Sequence, residues 1–106
     1  MQEVTFLVLT SLAAGPQHGY AILSDVTAIS DGRVRLRAGT LYGALDRLRI
    51  DGLVEVDGEE IVGGRLRRYY RLTAEGAKVL AAEAERARSN AATAIARLGL
   101  AGGTSG

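Results

Sequence analysis

At 106 residues the chain has the length of a single domain, long enough to bury roughly 65% of its unfolded surface in one core. Its 47% hydrophobic and 24% charged residues are those of a folded chain, and the absence of cysteine excludes disulfide scaffolds, thiolate nucleophiles and cysteine-based zinc sites. The apolar run Val4–Leu9, broken by Thr5, is far too short to span a membrane and no signal-like segment precedes it, so the chain is expected in the cytoplasm. Net charge is +1, which gives no global attraction for a polyanion.

Val4, Phe6, Leu7, Val8, Leu9 and Leu12 form a broad helical stripe that predicts a largely buried first helix ending before Gly15-Pro16. His18-Gly19-Tyr20 opens a second helix with Ile22, Leu23, Val26 and Ile29 on one face, ending near Ser30-Asp31-Gly32. Tyr20 and Tyr70 are expected in the core, with their hydroxyls at its edge. After the Arg33–Arg37 loop, a third helix gathers Leu41, Leu45 and Leu48 in a narrow arc. Gly39, Gly43 and Asp46 fall opposite that arc, with Thr40 and Arg47 on one flank and Tyr42 and Arg49 on the other.

From Gly52 the apolar period changes to two, through Leu53, Val54 and Val56 and later Leu66, Tyr70 and Leu72. Asp57-Gly58 and Gly63-Gly64 are both hairpin signals; the second lets the two strands pair at full length and leaves Gly58 as a bulge. The outward face of the second strand is then Arg65, Arg67, Tyr69 and Arg71, while Arg68 shares the apolar face and suits a structural ion pair. Thr73 is the expected N-cap of a last helix with Glu75 in its first turn. Leu80, Ala84, Ala87, Ala91, Ile95 and Leu98 recur along it at spacings of four and three, a narrow near-heptad seam suited to helix-on-helix dimerisation. The other reading of that helix is a return onto its own domain. Gly99 would cap it, ahead of a flexible tail over residues 99–106.

Three helices followed by a hairpin predict a mainly α fold with a small β-hairpin: a winged helix-turn-helix over residues 1–72, then a C-terminal dimerisation helix over 73–98. Charge is sorted to match. Five arginines against Asp46 alone lie between Arg33 and Arg49, four more lie between Arg65 and Arg71, and five acids with no base lie between Asp51 and Glu60. Such patches steer a polyanion despite a near-neutral total. Gly39 and Gly43 would allow a recognition helix close approach to base edges, Thr40 and Tyr42 could donate to phosphate or base, and Arg37 and Arg47 could neutralise phosphate or read guanine. Arg65 and Arg67 would meet the minor groove. His18, the single histidine, reads as a helix N-terminal residue that bonds locally or touches phosphate; no metal site and no catalytic constellation is expected.

His18-Gly19-Tyr20 with Ile22, Gly39-Thr40-Leu41-Tyr42 with Leu45, Arg47-Leu48, Gly52-Leu53, Arg68-Tyr69-Tyr70, Leu72-Thr73, Gly76 and Leu80 together resemble the PadR family of bacterial transcriptional regulators over about residues 4–80. The resemblance, closest to the smaller subgroup with one C-terminal helix, implies a homodimeric winged-helix repressor bound to a pseudo-palindromic operator in double-stranded DNA. It also implies a small-molecule effector of unknown identity, but no cofactor. It points to Thr40 and Tyr42 as the foremost DNA contacts. Two features depart from the pattern. The first wing strand is acidic at Glu55, Asp57, Glu59 and Glu60, and no tryptophan is present to stack a flat drug; Phe6, Leu80 and Ile95 could line an aliphatic cavity instead, which nothing in the sequence supports. A winged-helix module that binds protein is the alternative function.

Overall fold

The computed structural model describes residues 1–100, which form α1 (Glu3–Ala13), β1 (Gln17–His18), α2 (Gly19–Ile29), α3 (Ala38–Ile50), β2 (Val54–Val62), β3 (Arg65–Leu72) and α4 (Ala74–Arg97). Of the expected tail, residues 101–106 lie outside the described residues. No helix among the described residues is long and apolar enough to cross a membrane.

The core is built where the helical stripes converge. Leu7, Val8, Leu9 and Leu12 of α1 meet Ile22 and Val26 of α2, Leu41, Leu45 and Leu48 of α3, and Val54 and Tyr70 of the sheet. Tyr70 is buried as expected, but Tyr20 is a correction: it is 79% exposed. The buried stripe of α2 runs through Gly19, Ile22 and Val26, and position 20 is turned about 100° away from its start. Ile29 belongs to the same stripe but is the last residue of the helix, past the edge of the core, and it too is exposed.

The hairpin takes the register set by Gly63-Gly64. Val62 pairs with Arg65, and both turn glycines have positive φ (57° and 78°), the two-residue connection that matches strand twist. Val56 opposes Tyr70 and Gly58 opposes Tyr69, so Asp57 is the extra residue of a bulge beside Gly58. A third strand adds to this hairpin: β1 pairs antiparallel with β3, Gln17 opposite Tyr70 and His18 opposite Tyr69, giving the order β1-β3-β2. Beyond Tyr69 no third strand pairs with the ribbon, and the buried core does not extend behind it. Leu66, expected on the core face, is accordingly 61% exposed, and its cross-strand neighbour Ile61 is exposed with it.

The junction of α3, β2 and α4 is tied through one residue. Helix α3 ends with Leu53 N–H donating to Leu48 O at 2.9 Å and Gly52 in the left-handed region, a Schellman closure. Thr73 N–H donates to Leu53 O at 3.1 Å and Thr73 Oγ1 donates to Gly52 O at 2.7 Å. The same hydroxyl accepts from Gly76 N–H at 3.0 Å, the N-cap of α4. Gly76 is buried there. A Cβ on it would overlap Leu53 O and lie 2.9 Å from Leu72 Cδ1.

From this junction α4 runs past α1, where Leu80 packs on the core and the Met1 ammonium lies 3.8 Å from Glu83. Every described residue from Ala84 to Leu100 is exposed. The projecting helix stretches the molecule to 61 × 27 × 20 Å, with a radius of gyration of 16.5 Å against about 13 Å for a compact domain of this length. Phe6, Leu80 and Ile95 do not come together in one cavity. Phe6 lines an open groove with Met1, Glu3, Glu83, Arg86, Ala87 and Asn90, while Ile95 lies further along α4 and Leu80 is turned into the core.

Candidate nucleic-acid interface

Helix α3 buries Leu41, Ala44, Leu45 and Leu48, and this arc alone decides which residues remain outside. Arg37, the N-cap residue, is exposed, and its guanidinium, a donor only, does not cap the N–H groups of the helix it precedes. Gly39, Thr40, Tyr42 and Arg47 are exposed and Gly43 is half-buried. A Cβ on Gly39 would meet nothing within 4 Å, and one on Gly43 would meet only Arg47 Nη1 at 3.8 Å. The protein's own packing demands glycine at neither position. The result is a shallow shelf along the first two turns, bounded by Thr40, Tyr42 and Arg47.

Beside the shelf, His18 Nδ1 accepts from Ala21 N–H at 3.4 Å and so caps α2. Its ring meets Tyr69 edge-on, with centroids 5.5 Å apart and planes at 89°. Tyr69 in turn donates to Glu60 Oε1 at 2.5 Å. The start of α2, Tyr42 of α3 and the distal ribbon enclose a cleft of about 280 Å³ lined by His18, Gly19, Tyr20, Tyr42, Val62 and the Arg65–Arg68 segment. Four of the nine residues singled out from the sequence, His18, Tyr42, Arg65 and Arg67, therefore share one cleft. The others, Arg37, Gly39, Thr40, Gly43 and Arg47, lie on α3 or at its start, outside the cleft lining. Tyr20 joins the cleft although the sequence reading assigned it to the core; its offset from the Ile22–Val26 stripe was the available signal.

Ion pairing divides the arginines into two sets. Arg71 pairs with Glu55 and Asp57, Arg68 Nε lies 3.1 Å from Glu59, Arg33 Nη2 lies 2.7 Å from Glu3, and Arg49 is paired with Asp46. Arg35, Arg37, Arg47, Arg65, Arg67 and Arg97 have no carboxylate partner among the described residues, and four of these, Arg37, Arg47, Arg65 and Arg67, are among the candidate DNA contacts. The acids of β2 are thus engaged by cross-strand neighbours on β3: Glu55 and Asp57 by Arg71, Glu59 by Arg68, Glu60 by the Tyr69 hydroxyl. Arginine at the ribbon tip remains free to attract an anion. No group of three or more metal-ligating side chains occurs among the described residues.

The model of the transcriptional regulator PadR-like family matches residues 8–82. Over 82 residues the chain is 43% identical to an uncharacterised 37.1 kDa protein of a Streptomyces fradiae transposon, aligning 77% of this chain and 22% of that protein. The chain spans less than half the length of the curated relatives it matches. Among solved structures, a PadR family regulator from Eggerthella lenta is 32% identical, with a TM-score of 0.68, covering 90% of this chain and 80% of that one. Bacillus subtilis PadR, solved with operator DNA, shares the fold at 23% identity and a TM-score of 0.66, over 76% of this chain and 45% of that one. Members of the family are regulators of transcription and not enzymes. With the matched segment reaching from α1 to the first turns of α4, and with the winged-helix architecture in common, the chain belongs to the PadR-like family of transcriptional regulators.

Proposed function

We propose that the protein is a dimeric repressor that binds a pseudo-palindromic operator, with α3 in the major groove and the β2–β3 ribbon as the wing. One observation carries the reading. The exposed edge of α3 and the cleft beside it hold tyrosine and threonine donors and arginines without carboxylate partners, while the wing's acids are engaged within the wing. Base edges and phosphates require donors of this kind on a surface that can approach closely. The operator complex of the Bacillus subtilis relative supports the same use of the same fold. The exposed seam of Ala84, Ala87, Ala91, Ile95 and Leu98 supports pairing of two copies through α4, with Leu80 at its inner end packed on the domain core.

Selection of bound sequences from random double-stranded DNA tests the proposal. The expected result is a two-fold symmetric consensus with half-sites about one helical turn, ~34 Å, apart or a multiple of it. Affinity for that site should fall by about 10³- to 10⁵-fold between 50 and 200 mM salt if six to ten phosphates are contacted. Failure to enrich any sequence, with binding to a protein partner that salt barely alters, would instead favour a protein-binding winged helix.

A further inference from the structure

Gly19 occupies the first position of α2, directly after the His18 cap, and nothing about its backbone calls for glycine: its φ is outside the left-handed region. Helical propensity would favour alanine over glycine here. What the site lacks is space. A Cβ on Gly19 would overlap the hydroxyl oxygen of Tyr42 and stand 2.8 Å from its Cζ and 3.2 Å from its Cε1. The three nearest atoms all belong to the far end of this one side chain. We infer that Gly19 is a positioning residue for DNA recognition: its bare backbone is the seat on which the phenol end of Tyr42, a residue 45% exposed, rests, and this fixes the side chain at the edge of the cleft.

Tyr42 stands on α3 and its ring end rests on α2. The seat therefore spans the two helices of the helix-turn-helix, and it lies beside His18 and Arg67 in the same cleft. Holding a long polar side chain before the ligand arrives reduces the ordering cost of binding. A methyl group on Gly19 pushes the ring out of its seat without obstructing backbone, so the fold is retained and the placement of the phenol is lost. The inference rests on the proposed DNA-binding role of α3.

Operator affinity of the full chain is measured by fluorescence anisotropy for the parent, Gly19→Ala, Tyr42→Ala and the double variant, with the selected operator as probe. Gly19→Ala should weaken binding by about tenfold or more, within the usual cost of one specific contact. The double variant should bind no worse than Tyr42→Ala, because the two changes act on one interaction. The Tyr42 ring resonances should shift in Gly19→Ala while its melting temperature stays level or rises. If Gly19→Ala does lower the melting temperature, adding Tyr42→Ala should restore it by removing the obstructing atoms. Parental affinity in Gly19→Ala, losses that simply add in the double variant, or no restoration of stability would each overturn the inference. Should Tyr42→Ala itself bind like the parent, the Tyr42 contact assignment fails and the inference falls with it, because the seat then has nothing to position.

Discussion

Gly39 and Gly76 sit in helices with ordinary backbone, yet alanine at the two positions should act in opposite ways. At Gly76 the added carbon meets the Leu53 carbonyl, which cannot move without dragging the α3–β2 turn. Gly76→Ala should lose about 1–3 kcal/mol in urea denaturation, the range for forcing extra volume into a packed site. At Gly39 the carbon meets open space, and helix propensity should leave stability level or raised by up to about 1 kcal/mol. Operator affinity should nevertheless fall in Gly39→Ala if α3 enters the major groove as proposed, because the methyl projects from the shelf that would approach DNA. Thr40→Ala and Tyr42→Ala should likewise lower affinity with unchanged melting temperature; parental binding by both would remove α3 as the recognition helix. The residues of the shelf were legible from the helical wheel because exposure along a helix follows from local period. The seat at Gly19 and the close approach at Gly76 were not, since each depends on where a distant element passes.

The boundaries of α1, α2, α3 and α4 and the hairpin register follow from signals inside each segment: apolar periods, Thr73 before the last helix, and the Gly63-Gly64 pair. Strand β1 escaped the same reading because two residues carry no alternation, and its pairing with β3 is set by the tertiary arrangement. The outward Leu66 was missed for a related reason. Period-two alternation assigns a face, but it does not say how far the core extends behind that face. The wing also shows how composition can mislead: its acids look repulsive to DNA in sequence, yet Glu55, Asp57 and Glu59 are opposed by arginine across the ladder. Replacing both Arg65 and Arg67 with alanine should weaken binding to all DNA sequences about equally and reduce the magnitude of the salt slope by about two. Loss confined to one base pair of the operator would show that these arginines read bases. For the α1 end, the Arg33 guanidinium bonded to Glu3 holds its carboxyl below the usual carboxylate range. A depressed folded-state pKa means that the pair stabilises the fold above the ordinary pKa of glutamate and loses this effect as pH falls through the lowered value. The gap between parent and Glu3→Gln in thermal melts should therefore close on acidification from neutral pH, and it should be small throughout because the pair is exposed.

On the scale of the whole molecule, the long axis comes from α4, whose outer half is not buried by any of the described residues. An isolated helix of this kind is marginal in water, which is a physical reason to expect a second copy along its seam. Chains truncated before Ala81 should sediment as monomers and bind the operator poorly, since two recognition helices must be held at a fixed separation. Dimers that survive the truncation would place the interface on another surface. Thr73 gives this arrangement a mechanical character. Its hydroxyl and amide clasp the end of α3 at Gly52 and Leu53 while capping the start of α4, so there is no slack joint between the reading element and the arm that would grip the second subunit. In the proposed dimer a twist of that arm would be passed on as in a crankshaft, and two subunits that changed their crossing angle would swing both reading heads off the operator's phase together.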